Sequence, residues 1–140
     1  MPDPTGAQYT LMCKALRFVT AQQGWDLNNV RVWADYHSIP QVHRGLQKMA
    51  IKSLPSFSSN SQAFVVVAPN CSHADLPDHC NFSTYRSRMW CRAEQICYVL
   101  LNGTSNMFVA KEDGGDVCSK FEAEWLAEAL HVFEGELSCK

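Results

Sequence analysis

The chain has 140 residues, a mass of 15.8 kDa and 46% apolar content, enough for one globular domain around a single core. A formal net charge of −2 and a pI near 6.2 supply no broad basic field, which excludes nucleic acid as the main partner. The longest apolar run, AFVVVAP, is far short of a membrane span, and MPDPTGAQYT lacks the layout of a secretory signal, so a cytoplasmic chain with no membrane partner is expected.

Residues 6–23, GAQYTLMCKALRFVTAQQ, put Tyr9, Met12, Leu16 and Val19 at helical spacing, with Gly24 set to end the helix. VRVWAD (30–35) alternates Val30, Val32 and Ala34 against Arg31, Trp33 and Asp35, the period of a strand, and runs into the proline-bearing loop HSIPQ. HRGLQKMAIKSLP carries Leu46, Met49, Ala50 and Leu54 on one helical face and is expected to stop at Pro55. AFVVVAP is short, β-branched and uniformly apolar, as a central strand covered on both faces would be.

After the loop NCSHADLPDHCNFST, SRMWCRAEQIC opens a further helix, whose apolar stripe is read as Met89, Trp90, Ala93, Ile96, Cys97, Leu100 and Leu101. Asn102 and Gly103 end it. MFVAK reads as a strand and EDGGD as a turn; SKFEAEWLAEALHVF reads as a last helix opened by a capping box between Ser119 and Glu122. Strict alternation of helix and strand predicts an α/β sandwich with a parallel sheet, and in such sheets function gathers at the carboxyl ends of the strands. Residues 35–40, residues 69–84 and Glu94 are all expected near that edge.

Glu94 falls on the border of its helix's stripe, beside Trp90 one turn earlier and Tyr98 one turn later. A carboxyl group half-buried against an indole has its pKa raised, which prepares it to handle protons or to face a developing cation. The alternative is an ion pair with Arg31, Arg86, Arg88 or Arg92, and the spacing leaves both open. The seven cysteines form no regular framework, so reduced thiols are expected, and Cys91 is read as a packed thiol. Cys71, His73, His79 and Cys80 include zinc-type ligands at a spacing that fits no standard site, and no metal is expected there.

SRMWCRAE before an apolar run resembles the helix motif of Toll/interleukin receptor (TIR) domains, where a serine and a Trp-Cys pair precede a glutamate. VWADYHSIPQ with the following LQKMAIKSLPSFSSNSQAFVVVAP is similar both to the second strand, loop and helix of TIR-like domains and to fungal heterokaryon-incompatibility (HET) domains. The likeness covers residues 30–97 and implies a three-layer, flavodoxin-like (TIR-like) sandwich with a short parallel sheet. It implies a single TIR-like domain over 1–140, truncated before its first strand and also at its C-terminal end.

The family contains both NAD-cleaving enzymes and pure assembly modules. In the enzymatic branch Glu94 matches the catalytic glutamate, NAD is the substrate and no cofactor is needed; Trp33 and Trp90 would stack on the substrate, while Asp35 and Ser38 would add polar contacts. In the other branch the chain self-associates through HSIPQ and the surfaces of the second and third helices, with Glu94 in a salt bridge.

Overall fold

The computed structural model describes residues 3–72, 79–112, 118–120 and 124–136, and for 124–126 the backbone alone. Helix α1 (Ala7–Gln23) ends where Gly24 takes the left-handed conformation at φ 66°, which glycine enters without a Cβ penalty. A short helix α2 (Asp35–Ser38) and the long α3 (Arg44–Ser59) follow, then strand β1 (Phe64–Val67), the two-residue ladder β2 (Cys71–Ser72) and β3 (His79–Cys80), and α4 (Phe82–Ser87). Helix α5 (Met89–Asn102), β4 (Met107–Ala110), β5 (Cys118–Lys120) and α6 (Glu124–Ala129) complete the α-helices and strands of the described residues, with short 3-10 turns at Leu27–Asn29 and Val132–Glu134.

The main sheet has the order β1-β4-β5. β1 and β4 are parallel, in the register Phe64 to Met107 and Val67 to Ala110, whereas β5 runs antiparallel to β4. The sheet is therefore mixed, and its central strand is β4, all four of whose residues are buried. AFVVVAP, expected at the centre, supplies an edge strand. Its alternate residues serve the two faces: Val66 and Ala68 join Tyr98, Met107 and Val109 on the α5 side, while Val65 and Val67 pack against Leu11, Ala15, Val19, Phe108 and Ala110 on the α1 side.

Several local expectations are corrected. VRVWAD is not a strand: residues 30–34 have no ladder partner, and Asp35 opens α2. The alternation was present, but a strand needs a neighbouring edge to pair with. Helix α3 passes through Pro55 to Ser59; it buries Leu54 and Ser58, while Leu46 and Met49 lie exposed. On α1 the buried line is Leu11, Ala15 and Val19, and Tyr9 points outward. On α5 it is Cys91, Gln95 and Tyr98, leaving Leu100 at 77% and Leu101 at 73% exposure. Ser119 lies in β5 and caps no helix, and the central residues of EDGGD, together with Glu122, fall outside the described residues.

The start of α5 is clamped from downstream. Glu136 donates its N–H to the Ser87 carbonyl at 2.7 Å and its carbonyl accepts from Met89 N–H at 3.0 Å, while the Arg92 guanidinium donates to the carbonyls of Arg86 at 2.8 Å and His131 at 2.9 Å. Gly135 lies so close to this helix that a Cβ there would come within 2.7 Å of Met89 backbone atoms. Among the described residues no helix is long and apolar enough to cross a membrane.

Phe108 is fully buried in β4 and meets Phe18 of α1 edge-on at 6.4 Å. Phe108→Ala should cost about 3–5 kcal/mol, whereas Leu100→Ala should stay within about 0.5 kcal/mol. Urea unfolding of the two variants checks the contrast.

Candidate functional site

A trough of about 1250 Å³ runs along the free edge of β1. One wall is α1, the other is made by the end of α3 and the first half of α5, and residues 29–37 form the rim. Trp33, Asp35 and Glu94 all line it. Ser38 and Trp90 do not: Ser38 turns back to accept the Ala34 N–H at 3.3 Å, and Trp90 stands on the outer side of α5 at 39% exposure. The rotation of α5 that buries Cys91 and Gln95 leaves Trp90 partly in solvent and outside the lining of the trough.

Glu94 is held by a seam between α3 and α5. Ser58 Oγ donates to the Glu94 carbonyl at 2.7 Å, Tyr98 Oη donates to the Gln62 carbonyl at 3.2 Å, and Asn102 Nδ2 donates to the Ser59 carbonyl at 2.7 Å. Gln95, fully buried, donates to the Cys91 carbonyl at 2.8 Å. These bonds fix the rotation of α5, and with it the direction of the Glu94 side chain into the trough.

The electrostatics single out this carboxyl group. Burial, reinforced by the negative charge of Asp35, pushes Glu94 up to about 7, against a smaller opposing effect of Arg88. Of the four candidate arginine partners, Arg92 is committed to backbone carbonyls, Arg86 pairs with Glu128, and Arg31 donates to the carbonyls of Asn28 and Val30. Arg88 lies over the Tyr85 ring at 5.5 Å. Among the described residues none of them forms an ion pair with Glu94.

Asp35 opens α2, and its carboxylate accepts the Tyr36 N–H at 2.6 Å. Trp33 is stacked on Phe57, ring centres 5.5 Å apart and planes 16° from parallel, which fixes its ring beside the trough. Tyr85, Arg88 and Cys91 complete the lining around Glu94. Tyr85 had not been singled out; the signal was the Asn81–Thr84 pair, a capping box that starts α4 and so orients the residue after it. Burial pushes the Cys91 thiol up to about 12, leaving it protonated and unsuited to nucleophilic attack.

Cys71 and Cys80 face each other across the β2–β3 ladder as free thiols. His73 lies outside the described residues, and no group among the described residues has the composition of a metal site. No family model matches the sequence, and no curated protein or solved structure matches it either.

A carboxyl group raised from 4.5 to about 7 on folding binds its proton more tightly in the native than in the unfolded chain. Its contribution to stability is full below about pH 4.5 and is lost as pH rises through about 7. Glu94→Gln, which keeps the shape without the charge, should therefore unfold at a higher temperature than the wild type at pH 8 and at nearly the same temperature at pH 4.5. Thermal melts at the two pH values test this.

Proposed function

We propose that the trough binds a ribosyl nucleotide of the NAD type and that Glu94 promotes cleavage of the nicotinamide–ribose bond. The observation that carries this reading is a carboxyl group set into a large recess, desolvated and without an ion-pair partner among the described residues. Such an arrangement stabilises a cation that forms opposite it better than a solvated or paired carboxylate would. The fold reading that accompanies it is the three-layer, flavodoxin-like TIR domain, supported by the parallel β1–β4 pair and by helices on both faces of the sheet. The free thiols of the described cysteines support a reducing, cytoplasmic setting.

Bond cleavage is heterolytic. The C1′–N bond breaks with its electron pair going to nicotinamide, which leaves neutral and needs no proton. Positive charge spreads over C1′ and the ribose ring oxygen, where the Glu94 carboxylate lies against it and accepts hydrogen bonds from the ribose hydroxyls. Water then adds to C1′ and gives up its proton to the carboxylate or to solvent. Trp33, pinned by Phe57, offers a flat face to a base, and Asp35 raises the field that the cation meets. Ser38 and Trp90, outside the lining, take no part.

The active form is the anion, so kcat/KM for nicotinamide release should rise with pH through about 7 and level off near pH 8. Glu94→Gln should lower turnover at least ~100-fold, and Asp35→Asn should move the midpoint of the pH profile downward by removing the neighbouring negative charge. Nicotinamide release measured by chromatography checks both. Turnover by Glu94→Gln equal to the wild type would remove the enzymatic reading.

A second reading, a homotypic interaction module, is favoured by one different observation. Val42 at 96% exposure, Leu46 at 50% and Met49 at 65% are spaced to form an apolar stripe leading along α3. Leu46→Glu combined with Met49→Glu should shift a concentration-dependent oligomer to monomer in light scattering, and a wild type that stays monomeric at all concentrations would count against this role.

A further inference from the structure

The ladder between β1 and β4 uses only one side of β1. Phe64 N–H donates to the Asn106 carbonyl at 3.0 Å and Ala68 N–H to the Ala110 carbonyl at 2.9 Å. With this register the even-numbered residues of β1 face β4, so the N–H and C=O groups of Val65 and Val67 point into the trough. Across the trough, Val30 and Ala34 have extended backbone, and among the described residues the N–H groups of Val32 and Trp33 between them donate no hydrogen bond. An open strand edge and a second stretch of chain with free donors thus border one recess, walled by α1 on one side and by α3 and α5 on the other. The recess lies in the layer of the sheet itself.

We propose that the open edge of β1 is a strand-acceptor site: one extended apolar segment of a partner polypeptide lies between β1 and residues 30–34 and hydrogen-bonds to Val65 and Val67. The dimensions fit. With strands about 4.8 Å apart, layers about 10 Å apart and a rise of about 3.3 Å, a strand residue takes up roughly 160 Å³, so the trough of about 1250 Å³ is large enough for a strand of several residues.

The walls specify the partner's chemistry. Met12, Leu16 and Val19 line the α1 side, and Phe57 and Cys91 line the other. A strand covered on both faces is apolar at every position rather than at alternate ones. A second copy of the chain does not meet the requirement through its own β1, because that edge sits at the floor of the same recess between two helical walls. Strand addition supplies affinity through main-chain hydrogen bonds and selectivity through the side-chain walls.

The strand shares its recess with the proposed nucleotide, and its test does not depend on Glu94 acting as a catalyst. The probe is a synthetic peptide, Lys-Lys-Val-Ile-Val-Ile-Val-Lys-Lys, whose ends keep an apolar strand in solution. Amide hydrogen exchange is followed by NMR on the 140-residue protein, with and without peptide. Saturating peptide should slow exchange at Val65 and Val67 at least ~10-fold and leave Phe64 and Val66, already paired with β4, little changed. Peptides of the same sequence N-methylated at alternate residues should fail to protect these amides, a control that leaves the protein unaltered.

Amide protection reads strand binding with no turnover involved, so loss of catalysis and loss of strand binding are read separately. Three results would overturn the proposal: no added protection at Val65 and Val67, equal protection by the N-methylated peptides, or protection that appears without peptide as protein concentration rises. The last would assign the edge to a second copy.

Discussion

The orientation of α5 is the constraint on which the site depends, and it is set by polar bonds as much as by packing. An α-helix buries whichever face its neighbours accept, and a rotation of one residue changes every side chain's surroundings. Here Ser58, Tyr98 and Asn102 tie α5 to the end of α3 and the residues after it. The hydroxyls of Ser58 and Tyr98, on buried residues of this seam, need their partners, so these bonds act as a register key in a way that interchangeable leucines would not. Cys91, Gln95 and Tyr98 turn inward as a result, and Glu94 comes to the border of the buried face, on the side that opens into the trough.

This explains how much of the molecule was legible in the sequence. The helix over residues 7–23 and its glycine stop, the two apolar strands and the α5 helix follow from periodicity and capping alone. The faces of the helices did not. On α5, Leu100, Leu101 and Trp90 are more hydrophobic than Gln95, so a count of apolar positions places the buried stripe on the wrong side. A glutamine with satisfied bonds can occupy the core, and no hydropathy pattern announces it. The same limit applies to VRVWAD, where period two was real and the missing quantity was a partner strand, which lies outside the segment's own sequence.

For the candidate site, the sequence singles out Glu94, and the structure sets it in the recess for a different reason. Glu94 is expected beside Trp90; in the structure burial raises its pKa, reinforced by the negative charge of Asp35, a residue far away in sequence. Asp35 and Trp33 meet it because residues 29–37 form the rim of the trough. Their arrival there depends on the tertiary path between α1 and α3. Ser38 belongs to the same stretch, yet the turn of α2 directs its hydroxyl to its own backbone.

The clamp on the beginning of α5 ties the carboxyl group to sequence some forty residues downstream. Glu136 and the His131 carbonyl hold the helix where it starts, less than two turns before Glu94. Cutting the polypeptide after α6 would leave every residue around the recess intact and still release the anchor of the helix that aims its acid. A side chain added at Gly135 would press on the same point of the helix.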